Sequence, residues 1–73
     1  MTKEDRVSLL LEVYEQEKER LNIEYDRRYI EVTKANKLPD ETTAALINLK
    51  EWREIEKAAI EHRFKKAIIA LEG

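Results

Sequence analysis

At 73 residues the chain is one domain at most, and it is below the size at which a single core readily offsets conformational entropy without a second copy, a partner or very regular packing. With 41% charged and 42% hydrophobic residues and a single Gly and a single Pro, it is too apolar for simple disorder and too poor in turn formers for a loop-rich or sheet fold. Fourteen basic residues against sixteen acidic ones give a net charge of −2, and zero cysteines exclude a disulfide framework and a thiol site.

The charge is evenly spread, with eight basic and nine acidic residues through Lys37 and six and seven from Leu38 onward, so neither half is a basic arm. The first residues, Met1 to Arg6, lack the basic start and apolar stretch of a signal peptide, and no run nears the length of a membrane span. These features predict a cytoplasmic location and no membrane partner.

Thr2 is placed to cap a first helix, and Glu4 and Asp5 sit where a helix dipole favours negative charge. Nothing then breaks a helix before about Lys34. At about 100° per residue, Val7, Leu10, Leu11, Tyr14, Leu21, Tyr25, Tyr29 and Val32 fall in one broad stripe, so the first helix is expected over about 3–35. The polar run Glu15 to Arg20 consists of strong helix formers and keeps the phase.

The only proline, Pro39, disfavours helical geometry at Leu38 and lacks a backbone donor, which places a turn at about 36–40. Asn36 is a candidate for a left-handed helix end, Asp40 for the cap of the second helix, and Leu38 for a hydrophobic staple. A second stripe through Ala45, Leu46, Leu49, Trp52, Ile55, Ala59, Ile60, Phe64, Ala67, Ala70 and Leu71 predicts a helix over about 41–71. So short a connection makes the two helices antiparallel neighbours, pairing residues whose numbers total about 75. That register sets Leu11 near Phe64, Tyr14 near Ile60, Leu21 near Ile55 and Trp52, and Tyr25 near Leu49.

The seam leaves Leu9, Val13, Ile23 and Ile30 on the first helix, and Ile47, Ala58, Ile68 and Ile69 on the second, outside the intrachain core. The expected fold is therefore an all-α antiparallel hairpin dimerising into a four-helix bundle, with another helical protein as the other candidate partner. Three charged residues interrupt the stripes. The simpler reading of all three is that long stems cover apolar surface with their heads in water; the sharper one is that Lys18 and Glu56, which total 74, face each other as an ion pair that sets the register. Arg63 has no evident intrachain partner and joins Leu9, Val13, Ile23, Ile30, Ile47, Ile68 and Ile69 as an expected partner contact.

No pattern encodes a reaction. His62 is the only histidine, and Ala59 stands three residues before it where a di-iron bundle needs Glu. Ser8 is the only serine and is expected one turn from an unstructured end, a poor place to position a nucleophile with its base. With the only glycine at position 73, a phosphate-cradling loop is absent. The spacing of Glu12, Glu15 and Glu19, and of Glu51 and Glu54, is that of a solvated helix face. No enzyme activity, metal, cofactor or small-molecule substrate is expected.

Arg27-Arg28 and His62 to Lys66 are the only basic clusters, and Lys65 and Lys66 are also explained by the dipole of a helix end. Trp52, Tyr14, Tyr25 and Tyr29 at helical spacing read first as core and second as a recognition surface, with at least one tyrosine ring at the bundle edge. The favoured reading is a non-enzymatic protein–protein interaction module: an adaptor, small chaperone or regulator. A nucleic-acid-binding hairpin regulator of plasmid or phage type is the alternative. In size and helix–turn–helix plan the chain resembles the dimeric RNA-binding hairpins of plasmid copy-number control and the hairpin co-chaperones of type III secretion needle subunits. The resemblance is architectural, with no motif matched residue by residue, and assigns no family.

Overall fold

The computed structural model describes residues 1–35 and 38–72. Helix α1 spans Lys3–Ala35 and helix α2 spans Pro39–Glu72, and the two pack against each other along their length. The start of α1 shows why the chain becomes helical where it does. The Thr2 hydroxyl accepts from the Asp5 N–H at 3.2 Å, and the Asp5 carboxylate accepts from the Thr2 N–H at 3.3 Å. This is a reciprocal capping box with Asp at its third position, and it satisfies two donors that a helix start otherwise leaves unpaired.

Helix α2 begins two residues earlier than expected. The Leu38 carbonyl accepts from the Thr42 N–H and from the Thr42 hydroxyl, each at 3.1 Å, so Leu38 is the capping residue and Pro39 the first helical one. Proline suits that place, because its fixed φ is helical and its missing donor would have no partner there. Asp40 accordingly lies inside the first turn rather than at the cap. Leu38 is exposed and does not cover the helix start. The expectation for Asn36 lies outside the described residues.

The molecule is a slab with Cα extents of 55 × 17 × 8 Å, one helix layer thick. Its radius of gyration, 16.8 Å, compares with roughly 11 Å for a globular chain of this length. The core is correspondingly thin: Leu21, Leu49 and Ile60 are 9%, 7% and 5% exposed, and among the described residues no side chain is completely buried.

Cross-helix contacts run in a register shifted from the expected one. Tyr14 stacks on Phe64 at 4.5 Å and Arg53 lies 4.3 Å from the Tyr25 ring centre, pairs totalling 78. Arg28 lies 4.1 Å from the Trp52 ring centre and Arg63 is 3.3 Å from Glu17, pairs totalling 80. The cause is the lean of helical side chains toward their own N-terminus. On α1 they lean away from the turn and on α2 toward it, so facing groups come from Cα atoms a few residues out of level.

Candidate interaction surface

A two-helix slab has two broad faces and two outer edges. On the first broad face, at the open end of the hairpin, Leu9, Leu10, Val13, Ala67, Ala70 and Leu71 line an apolar groove of about 380 Å³ with Arg6 at its rim. It runs into a second groove of about 200 Å³, sharing Leu10, Val13 and Ala67 and reaching the Glu17–Arg63 ion pair. Further along the same face, Glu24 and Glu31 follow Glu17 at intervals of seven and border a hollow of about 470 Å³ with Arg27, Arg28 and Trp52.

The Glu24 carboxylate there accepts from Arg27 at 2.6 Å and from Arg28 at 3.0 Å. These hydrogen bonds, that from Arg28 foremost, hold its pKa below the ordinary glutamate value. A carboxylate kept ionised in this way is a poor proton shuttle at neutral pH.

The opposite broad face differs in sign. Its groove of about 360 Å³ is lined by Lys18, Leu21, Asn22, Arg53, Glu54 and Lys57. Lys18 lies 4.7 Å from the Tyr14 ring centre and 3.6 Å from Glu15 on its own helix. Arg53 is 3.8 Å from Glu54 as well as over Tyr25.

These placements correct two expectations. Lys18 and Glu56 do not pair: Lys18 opens onto one broad face, whereas Glu56, exposed, lies about 40° from Ile60 toward the other. Lys18 instead sets its ammonium group over the Tyr14 ring and beside Glu15 of its own helix, which is neither of the two explanations. Arg63, expected to lack an intrachain partner, has one in Glu17, which a register totalling 75 had set too far along α1 to notice.

Of the remaining expected partner contacts, Leu9, Val13, Ile23, Ile30, Ile47 and Ile69 are exposed, and Ile68 is half-buried. They do not form one patch. Leu9 and Val13 belong to the first broad face, while Ile23 and Ile30 lie on the outer edge of α1 and Ile47 and Ile69 on that of α2. Two stripe members are also misplaced. Ile55, expected against Leu21, is 68% exposed because it lies about 140° round α2 from Ile60, and Leu11 is exposed while Tyr14 takes the Phe64 contact.

Tyr29 is exposed, 6.2 Å from the Tyr25 ring, so one tyrosine does stand at the edge. Trp52 was legible as an aromatic on the stripe, but its arginine was not. In the basic clusters, Arg27 and Arg28 are engaged by Glu24, and His62, Lys65 and Lys66 are exposed. Lys65 and Lys66 sit more than one turn before the end of α2, whose last turn carries no basic residue, so the dipole does not account for them.

Among the described residues, no three His, Asp or Glu side chains are grouped to hold a metal ion, and no helix is long and apolar enough to cross a membrane. Comparison with known proteins finds no family model, no curated relative and no solved structure that matches this chain.

Proposed function

We propose that the chain is a non-enzymatic protein–protein interaction module, an adaptor, small chaperone or regulator, that completes its core by pairing with a second copy in a four-helix bundle. One observation carries the reading: an 8.7 kDa chain exposes 5921 Å², against roughly 4,700 Å² for a compact monomer of that mass. The excess is substantially apolar, since eleven large hydrophobic side chains among the described residues are exposed. The contiguous part of it, Leu9 and Val13 with the groove beside them on the first broad face, supports a docking site there. Sedimentation equilibrium across the micromolar range tests it: the expected mass is twice that of the chain. A single-chain mass at about 100 μM rules out self-pairing.

The strip of Lys18, Arg53 and Lys57 with its flanking tyrosines favours a second reading, a nucleic-acid-binding hairpin. Binding to RNA and DNA fragments titrated with salt separates the two, because phosphate contacts weaken steeply as salt rises and apolar helix packing does not.

A further inference from the structure

Resting on the self-pairing reading, we infer that the second copy covers the first broad face, related by a two-fold axis parallel to the helices so that both turns lie at the same end. Along this face α1 presents a row of large side chains at helical spacing, Leu9, Val13, Glu17, Arg20, Glu24 and Arg27. The facing row on α2 carries small ones at the open end, Ala59, Ala67 and Ala70, and Ala45 near the turn, with Asn48, Trp52, Glu56 and Arg63 between.

A two-fold axis along the helices lays α1 of one copy over α2 of the other at equal height, large row on small row. Leu9 and Val13 then enter the alanine-floored groove of the partner copy. The axis perpendicular to the helices sets large on large and alanine on alanine, leaving clashes in one seam and voids in the other.

Charge selects the same arrangement. Arg20 lies on one side of Glu56 of the second copy and Glu24, neutralised by Arg27 and Arg28, on the other, and each Glu17–Arg63 pair meets its symmetry mate with opposite signs adjacent. Arg20 and Glu56 are exposed and make no ion pair within the chain among the described residues. The opposite broad face is less favourable on the same count, because the axis would bring Lys18 of one copy onto Lys57 of the other, with Glu54 the one acid lining that groove against three cations.

The area suffices. A face of 55 × 17 Å between Cα atoms is about 900 Å², against about 800 Å² per partner in a standard stable interface.

The test uses charge reversal in the whole chain. Arg20→Glu and Glu56→Arg each set like charges opposite one another in a homodimer, and each is expected to weaken self-association about tenfold. Mixed in equal amounts they are expected to form the heterodimer preferentially, since both contacts become attractive again; native mass spectrometry reads the ratio. Ala70→Trp, at an exposed position on the groove floor, is expected to give a helical monomer, and Lys57→Glu on the other face to leave the dimer intact. Spin labels on Thr43→Cys are expected close together rather than about 40 Å apart, the separation the perpendicular axis would give at about 1.5 Å per residue. A wild-type dimer that ignores Ala70→Trp, mixes the two reversal variants at random, or places the labels far apart overturns this face and axis while self-pairing stands. A wild-type monomer overturns both.

Discussion

The two ends of the hairpin hold their helices together by different means. At the open end Tyr14 stacks on Phe64 over Ile60, with aliphatic side chains and alanines around them. Toward the turn the seam is built from cations on aromatic faces, Arg53 over Tyr25 and Arg28 over Trp52, with Glu24 holding Arg28 and Glu54 beside Arg53. The first arrangement excludes water and depends on burial. The second tolerates water, because a guanidinium can lie flat on a ring while keeping its edge hydrated. A thin hairpin that cannot bury much can therefore still fix its register with side chains that stay partly exposed.

Substitutions can break this contrast, starting with the largest effect. Ile60→Asp sets an unpaired carboxylate in the most buried position, and its expected cost of about 3–5 kcal/mol is enough to abolish folding, read as loss of helical circular dichroism. Trp52→Ala removes the half-buried ring that Arg28 covers, with an expected cost of about 2 kcal/mol by urea denaturation. Thr2→Ala removes the reciprocal cap at the start of α1 for about 1 kcal/mol, and local amide exchange should rise there before it does mid-helix.

The smallest effect sharpens the comparison. A double-mutant cycle of Arg28→Gln with Trp52→Leu should give a coupling of about 0.5–1 kcal/mol, whereas the exposed Lys18–Glu15 pair should give less than about 0.5 kcal/mol. Glu24 offers a readout without perturbation. Its folded pKa is depressed by Arg28 and Arg27, so its contribution is present above the unfolded value and fades as pH falls through the folded one. In an NMR titration its carboxylate should protonate below the ordinary glutamate range, and Arg28→Gln should move that transition back up.

Much of the fold was legible because its signals are local. Thr2 with the acidic first turn marked the start of α1 at Lys3, and Pro39 confined the break to a few residues. What the stripes could not show was the depth of contact between helices. Ile55 counted as seam because a broad stripe admits residues far round the cylinder, and it is exposed because only the narrow line through Leu49 and Ile60 meets α1. The Glu17–Arg63 and Arg28–Trp52 contacts escaped notice for a related reason: adding residue numbers places Cα atoms, whereas long side chains meet a few residues away from them. The exposure of Leu9, Val13, Ile23 and Ile30 was foreseeable from phase alone. Their division between a broad face and an outer edge required the second helix to be in place.

A slab one helix thick, with no side chain wholly enclosed among the described residues, also has a thermodynamic character of its own. Melting a lone copy would wet little surface that was not wet already, so its heat-capacity step and its sensitivity to denaturant would both be slight. A steep, cooperative transition would therefore be a property of the assembled form, with sharpness gained only as protein concentration rises.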